Sequence, residues 1–429
     1  MINNNRIGVD NDSETVTLNA TRPKKVTKKT NSEQTSTTEE TTIEITEKMG
    51  VTTEPTTTST TSTITLTTTS TTTSISTTAS ITASIATTAT TTATTTAIPQ
   101  WTMTGDMNVA RKYHTTSMLI NEKVLVIGGY NGISLNSAEL YDPSTDIWIT
   151  TTSMSTARQE HTASVFTDGN VLVTGGIKDK VFLNTAVLYN PSRDSWTDTG
   201  NMHGVRGAHT ATTLRDGRVL INGGDGGRGF LNTAELYDPS TGIWTRTGNM
   251  NYPRVDHATS LLTDGKVLVA GGYNDTSLNS AELYDPSTGI WTTTNRMSVT
   301  RQFSTLSTLM NGKVLVAGGS NGVFLKSAEV YDPSTGNWTP TGSMNFARAH
   351  HTASLLSNGK VLVTGGSNGS FLKSTELYDP STGIWTSSTN MNISRWQHTV
   401  TILTNETLLI AGGEGDAPYL DDVEQYPLP

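Results

Sequence analysis

A pair of adjacent glycines recurs seven times in this chain, at steps of 47 or 48 residues. A tryptophan and an arginine recur at the same step, so three kinds of landmark agree on seven units. Self-similarity at a fixed period predicts a repeat architecture. The landmarks are the glycines Gly128, Gly129, Gly175, Gly176, Gly223, Gly224, Gly271, Gly272, Gly318, Gly319, Gly365, Gly366, Gly412 and Gly413, the tryptophans Trp101, Trp148, Trp196, Trp244, Trp291, Trp338 and Trp385, and the arginines Arg111, Arg158, Arg206, Arg254, Arg301, Arg348 and Arg395.

Each unit has the pattern of four short strands joined by turns. In the fourth unit, residues 267–270 are an apolar, β-branched run that ends at the glycine pair, and AELYD follows at 281–285. The Asp-Gly dipeptide at 264–265 predicts a two-residue hairpin turn before the run. The segment DPSTG at 285–289 predicts a second turn, which leads into the tryptophan strand.

Both faces of such a sheet carry apolar residues, so neighbouring units must stack on one another. Seven four-stranded units with no helical period between them fit a β-propeller. The double glycine, then Tyr284, then Trp291 seven residues later resemble the Kelch repeat, and the resemblance covers residues 101–429. We therefore predict an all-β, seven-bladed Kelch-type β-propeller with four antiparallel strands per blade.

The array begins and ends inside a unit. Trp101–Met107 matches the fourth strand of later units, whereas the last unit stops shortly after Tyr426 and lacks that strand. The N-terminal strand is therefore predicted to complete the last blade and close the ring. Strands of small residues, as at 161–164, are expected nearest the axis, and the tryptophan strands are expected at the outside.

The residues before the array differ in composition. Residues 1–50 are polar and mixed in charge, with a small lysine cluster, and we predict that they are disordered. From 51 to 97, threonine and serine make up 33 of 47 residues, too little apolar surface to offset the entropy of ordering. Segment 51–98 is expected to be an unmodified linker or an O-glycosylated stalk, and 99–429 is the predicted propeller domain.

Composition limits the compartment and the partners. A Thr/Ser-rich stalk favours an extracellular or cell-surface protein, but no signal peptide is visible, which leaves the cytoplasm as the alternative. No apolar run predicts a membrane span. Of the 29 basic residues 22 follow residue 98, together with 29 of the 38 acidic residues, so nucleic acid is not an expected partner. We expect a monomer.

Two polar residues recur and are interpreted as structural. Histidine follows the arginine in six units and is replaced by Ser304 in the fifth. One histidine per blade is too widely spaced to ligate a single metal ion, so no metal site or cofactor is predicted. Glutamate recurs in six units, with Val187 in the second, and the repeated arginine is the expected partner of this carboxylate.

The repeat varies in two sets of loops, the residues after each arginine and the residues after each glycine pair. Because strand direction alternates, both sets are expected on one face, and variable loops on a fixed scaffold commonly carry recognition. Aromatic and charged residues are frequent in both sets. The candidate binding residues are Tyr113, Arg228, Asp256, Phe303, His350, Trp396 and Gln397, and no catalytic residue is assigned.

Three functions compete. The Kelch resemblance implies a non-catalytic propeller that binds a protein or glycan partner through the loop face around its central channel. The second is an oxidase similar to galactose oxidase, whose chemistry uses copper and a tyrosine cross-linked to cysteine, but this chain has no cysteine. The third is a hydrolase with a site at the channel mouth, for which no HExxH, GxSxG or P-loop motif is present. Binding without catalysis is the preferred prediction.

Overall fold

A computed structural model describes residues 99–428. These residues form seven four-stranded antiparallel sheets and two small hairpins. The first strand is β1 (Thr102–Met103). From the innermost strand outward, the first blade is β2 Thr115–Met118, β3 Val124–Ile127, β4 Ala138–Asp142 and β5 Ile147–Thr150. The second blade is β6 Thr162–Val165, β7 Val171–Thr174, β10 Ala186–Asn190 and β11 Ser195–Asp198, and it carries the hairpin of β8 Ile177–Lys178 and β9 Val181–Phe182. The third blade is β12 Thr210–Thr213, β13 Val219–Asn222, β14 Ala234–Asp238 and β15 Ile243–Arg246.

The remaining four blades repeat this order. They are β16 Ala258–Leu261, β17 Val267–Ala270, β20 Ala281–Asp285 and β21 Ile290–Thr293, with the hairpin β18 Tyr273–Asn274 and β19 Thr276–Ser277; β22 Thr305–Thr308, β23 Val314–Ala317, β24 Ala328–Asp332 and β25 Asn337–Pro340; β26 Thr352–Leu355, β27 Val361–Thr364, β28 Thr375–Asp379 and β29 Ile384–Ser387; and β30 Thr399–Ile402, β31 Thr407–Ala411 and β32 Val423–Pro427.

The seventh blade is completed by β1, which confirms the predicted closure. Thr102 pairs with Gln425, and the Trp101 ring stacks on Tyr426 at 4.9 Å between centroids. The innermost strands contact their neighbours in the cyclic order β2, β6, β12, β16, β22, β26, β30 and back to β2. The ring is therefore closed by a strand from the opposite end of the array, and all seven blades have four strands.

Packing between blades explains the sequence of the strands. The second strand of each blade is buried on both faces, as in β17, so it is a continuous run of Val, Leu and Ala rather than an alternating one. Each apolar cluster joins two neighbouring blades; one contains Leu220 from the third blade with Val267 and Trp291 from the fourth. As predicted, the strand order places the small-residue strands innermost and the tryptophan strands outermost.

The glycine pair is required by the close approach of neighbouring blades. Gly128 and Gly129 have φ of 59° and 103°. A Cβ on Gly128 would lie 2.6 Å from the carbonyl oxygen of Arg158 in the next blade. The N–H of Gly129 donates to that same oxygen at 2.9 Å. A side chain at either position would separate the blades and break this hydrogen bond.

The hairpin turn between the first two strands of a blade is longer than predicted. In the fourth blade, the N–H of Leu262 donates to the carbonyl of Lys266 at 2.8 Å, so the loop has three residues. Only Gly265 in that loop has a positive φ, of 89°. The Asp-Gly dipeptide therefore belongs to a three-residue loop with glycine in the left-handed position, and the predicted two-residue turn is wrong.

The repeated arginine and glutamate form a buried ion pair within each unit that has both. Arg254 Nη2 lies 2.8 Å from Glu282 Oε1, and both side chains are fully buried. The same carboxylate accepts hydrogen bonds from the backbone N–H groups of Asn251 and Tyr252, so it fixes the loop that enters the blade. The predicted partnership is confirmed in all six units, at 2.6–3.0 Å.

The repeated histidine links neighbouring blades. His351 Nε2 shares a hydrogen bond of 3.1 Å with Thr305 Oγ1 of the preceding blade. Five more interfaces have the same pair at 2.9–3.1 Å. The interface between the fourth and fifth blades lacks both partners, since Ala258 stands in place of the threonine and Ser304 in place of the histidine. The hydroxyl of Ser304 is buried there without a hydrogen-bond partner.

Two further predictions concern parts of the chain outside this description. The disorder predicted for residues 1–50 and 51–98 falls on residues that the structure does not describe. Within 99–428, no helix has the length and hydropathy needed to cross a membrane.

Candidate functional site

Seven residues, one from each blade, form a ring where the innermost strands begin. Each lies two positions after the repeated arginine. We call them the mouth ring, because they precede the innermost strands, which contact one another in a closed cycle around the propeller axis. In blade order the mouth ring is Tyr113, Glu160, Ala208, Asp256, Phe303, His350 and Gln397.

The backbone of the mouth ring is the same in every blade. All seven residues have a left-handed φ, between 49° and 55°. The N–H of one member donates to the carbonyl of the member in the preceding blade in five of the seven steps, for example Phe303 to Asp256 at 3.0 Å and His350 to Phe303 at 3.2 Å. This conformation is unfavourable for the bulky side chains of Phe and Tyr, and such strain is found where the surrounding structure dictates it, often at functional sites.

The residue before each ring member pairs with the loop after the glycine pair, as the alternation of strand direction predicts. Lys112 forms an isolated antiparallel bridge with Tyr130, and Trp396 forms the same bridge with Glu414. Both sets of variable loops therefore lie on one face, around the mouth ring.

Aromatic side chains from three blades touch one another on this face. Phe303 stacks on His350 with ring centroids 3.8 Å apart, and His350 meets the Trp396 indole edge-on at 4.8 Å. We call the loop after each glycine pair the glycine loop of that blade. Phe371, from the glycine loop of the sixth blade, has its ring centroid 6.1 Å from that of Trp396. We call Phe303, His350, Trp396 and Phe371 the aromatic arc. Burial lowers the pKa of His350 to about 4, so its imidazole is neutral at pH 7.

The arc continues across the closure of the ring. Gln397 Nε2 donates to the Tyr113 hydroxyl at 2.8 Å, which joins the seventh blade to the first. The ammonium of Lys112 lies over the rings of Tyr113 and Tyr419, at 5.5 and 5.4 Å from their centroids, and forms an ion pair with Glu414. This cation is therefore held in place by its neighbours.

Carboxylates occupy the other side of the mouth. Glu160 and Asp256 are ring members on either side of Ala208, and Asp225 belongs to the third blade's glycine loop. We call these three residues the acidic arc. Burial raises the pKa of Asp256 to about 7, with further contributions from the charges of Glu160 and Asp225. Burial, then the charge of Asp225, also raises the pKa of Glu160.

The structure brings most of the candidate residues together. Phe303, His350 and Trp396 are in contact, Gln397 bonds Tyr113, and Asp256 is the ring neighbour of Phe303. Arg228 is exposed at the tip of the third blade's loop and forms no ion pair with any described residue. Trp396 is partly covered rather than fully exposed, because His350 and Phe371 pack against its indole.

Several residues of this face were not among the candidates. Glu160 and Asp225 complete the acidic arc, while Phe371 and Tyr419 extend the aromatic surface. Aligning the seven positions two residues after the arginine identifies Glu160 directly. Phe371 and Tyr419 lie in glycine loops that differ in length between blades, so aligning the repeats does not predict which side chains they contact.

The described residues do not include a side-chain cluster that fits a copper site. Within residues 99–428, no three His, Asp or Glu side chains are placed to hold a metal ion. Six repeated histidines instead bond threonine hydroxyls, as described above, and cysteine is absent from the sequence.

Comparison with solved structures shows the same kind of fold in two proteins. The chain is similar to a fungal alcohol oxidase of the AA5 family in complex with copper, with a TM-score of 0.65, 19% identity and 77% of each chain covered. It is also similar to YjhT, with a TM-score of 0.53, 17% identity, and 66% of this chain and 99% of that chain covered. At these identities the similarity concerns the fold alone.

Sequence comparison identifies the repeats. No curated protein matches the chain. The Kelch motif matches six times, at residues 111–155, 161–203, 206–251, 255–298, 305–345 and 348–392, which together are more than half of the chain. With the motif repeated through six successive blades of a closed seven-bladed propeller, this chain belongs to the Kelch-repeat family.

Proposed function

We propose that this Kelch propeller binds a protein or glycan partner at its mouth and acts through binding rather than catalysis. The observation that carries the proposal is the aromatic arc, in which Phe303, His350 and Trp396 form a continuous surface at the head of the innermost strands. Aromatic side chains clustered in this way are typical anchors of binding interfaces.

Closure of the ring of blades does not require aromatic side chains at these positions, because the second, third and fourth blades pack together with Glu160, Ala208 and Asp256 in the mouth ring. The Arg–Glu pairs and the His–Thr pairs already hold the blades and their entry loops. Ala208 and Glu160 have the same left-handed backbone conformation in other blades of the mouth ring, so this conformation does not require an aromatic side chain. A role in recognition explains why three blades supply rings that touch.

Exposed apolar side chains surround the arc on the same face. Val323 and Phe324 of the fifth blade's glycine loop are 65% and 40% exposed, and Ile133 of the first blade is 65% exposed. Apolar groups grouped around a mouth with polar edges are characteristic of interaction sites. The surface available to a partner therefore extends from the arc onto the surrounding loops.

The experiment is a screen of the full-length chain against peptide and glycan arrays, compared with the Trp396→Ala variant. We expect a set of ligands whose binding is lost in the variant, since loss of an aromatic anchor costs about 2 kcal/mol or more. Ligands that bind both proteins equally would place recognition elsewhere and contradict the proposal.

The matched control is Trp196→Ala, which removes a partly buried repeat tryptophan from the outer strand of the second blade, away from the mouth. This variant should keep the ligands. Loss of binding in both variants would instead report a general loss of folding.

A further inference from the structure

At Phe303 the aromatic arc is followed in the mouth ring by the carboxylate of Asp256, and this pair of neighbours indicates which partner side chain the surface fits. We propose that the mouth accommodates an arginine side chain of a protein partner, with the guanidinium on Phe303 and in an ion pair with Asp256. The inference rests on the proposed function and names the partner chemistry of the same face.

Phe303 and Asp256 are successive members of the mouth ring. Their backbones are joined by the hydrogen bond from Phe303 N to Asp256 O at 3.0 Å, and both have φ of 55°. The two side chains therefore start from adjacent, equivalent points on the rim. A planar cation entering there meets an aromatic ring on one side and a carboxylate on the other.

The carboxylates at this point have no cationic partner in the part of the chain that the structure describes. Among the described residues, neither Asp256 nor Glu160 forms an ion pair or a side-chain hydrogen bond. Lys112, on the first blade, is already paired with Glu414. His350, which stacks on Phe303, is neutral at pH 7 because burial lowers its pKa. Within residues 99–428, charge complementarity to these carboxylates is therefore left for a ligand to supply.

Arginine fits this pair of surfaces better than the other cationic or neutral groups. Its guanidinium is planar, stacks on aromatic faces and presents a fork of N–H donors that matches a carboxylate. The ammonium of lysine is a compact, strongly hydrated charge; it can lie over a ring, as Lys112 does, but it has no planar face to stack and no fork of donors to match a carboxylate. A neutral sugar stacks on aromatic rings but leaves the half-buried carboxylates unpaired, at an energetic cost.

The experiment measures binding of peptides to the full-length chain. The probe is a library of seven-residue peptides with a fixed central arginine, and its matched library has citrulline at the centre, which keeps the planar group and removes the charge. The tightest arginine peptide should lose at least about tenfold in affinity when its arginine becomes citrulline. Asp256→Asn should cause the same loss and should leave the citrulline peptide unaffected.

Asparagine is suited to the left-handed backbone at position 256, so this variant is expected to fold. The control is Asp275→Asn, in the glycine loop of the same blade, where the aspartate is exposed and also has a positive φ of 58°. It should change affinity less than about twofold. A loss of the same size in both variants would mean that only the overall charge of the face matters, and would overturn the inference.

The pH dependence gives a second readout. Titratable groups facing Asp256 are Glu160, Asp225 and Tyr113. Because the pKa of Asp256 is raised to about 7, the arginine peptide should bind more tightly at pH 8 than at pH 6, while the citrulline peptide should not. Equal pH profiles for the two peptides would contradict the ion pair.

The remaining outcomes separate this inference from the proposed function. If peptides without arginine, or glycans, bind in a way that requires Trp396 and ignores Asp256, the arginine inference is wrong and the mouth still binds a partner. If neither arrays nor libraries yield a ligand that depends on Trp396, both proposals fail.

Discussion

Arg301 and Phe303 stand two residues apart in the fifth blade, yet they belong to layers with opposite behaviour. The arginine and its glutamate, and in the other blades the histidine three residues after the arginine, are buried and have partners. The mouth ring directly above them has one backbone conformation and seven different side chains. We call the repeated Arg, Glu, His and Thr residues the scaffold layer. The comparison teaches that this fold holds the position of the mouth fixed and leaves its chemistry free to vary.

The largest effect is expected from opening the ring that both layers depend on. Removing residues 1–108 deletes β1 and with it Trp101, which packs on Tyr426, whereas removing residues 1–98 leaves both. We expect the longer deletion to cost at least about 3–5 kcal/mol of unfolding free energy, as for loss of a core tryptophan. Thermal melts of the two truncations check this, and equal melting temperatures would contradict closure by β1.

Next in size is a break inside the scaffold layer. Arg254→Met leaves Glu282 buried without its cation and should cost about 3–5 kcal/mol in urea unfolding. The second blade supplies the control, because Arg158 is buried without a glutamate and burial lowers its pKa to about 10. Arg158→Met should cost clearly less. Equal losses would mean that the ion pair itself does not stabilise the blade.

Substitution in the acidic arc should increase the unfolding free energy rather than lower it. The pKa of Asp256 is raised from 3.8 to about 7 in the folded protein, so between about pH 4 and pH 7 the folded state binds more protons than the unfolded state. Stability contributed by this residue is therefore present at low pH and lost as pH rises through about 7. Asp256→Asn should stabilise the protein by on the order of 2 kcal/mol at pH 8 and much less at pH 4. Unfolding curves at the two pH values measure the difference, and a variant less stable at pH 8 would contradict it.

The smallest effect is expected at the interface between the fourth and fifth blades. Ala258→Thr with Ser304→His would restore the hydrogen bond found at the six other interfaces and should add up to about 1 kcal/mol. The reverse change, His351→Ser, should cost about 1–3 kcal/mol because Thr305 loses its partner. If the double variant is less stable than wild type, space for the imidazole is missing at this interface.

The sequence was sufficient for the scaffold layer because its constraints are local and repeated. Glycine pairs, tryptophans and the Arg–Glu pairing each appear at a fixed step, and the missing strand of the last unit implied β1 as its replacement. The three-residue loop ending at Gly265 was missed because an Asp-Gly dipeptide fits both loop lengths, and the flanking hydrogen bonds decide between them.

The mouth was only partly predictable for a different reason. Contacts between side chains of different blades depend on the curvature of the ring and on loop lengths, neither of which is encoded at a single repeat position. The contact of Phe371 with Trp396 and the approach of Asp225 to Asp256 are of this kind. Arg228 is exposed at the tip of its loop and forms no ion pair with a described residue, so a charge in a variable loop did not by itself predict a contact with the mouth ring.

The central claim, that the mouth ring binds and the scaffold layer supports it, is tested most directly by measuring binding and unfolding free energies on the same two variants. Phe303→Ala changes the mouth of the fifth blade, and Met310→Ala removes a 63% exposed apolar side chain from the turn at the opposite end of the same blade. For the tightest ligand from the arrays, we expect Phe303→Ala to lose about 2 kcal/mol or more of binding with an unfolding free energy within about 1 kcal/mol of wild type. Met310→Ala should leave both quantities unchanged. Equal binding by the two variants, or unfolding of Phe303→Ala, would contradict the account.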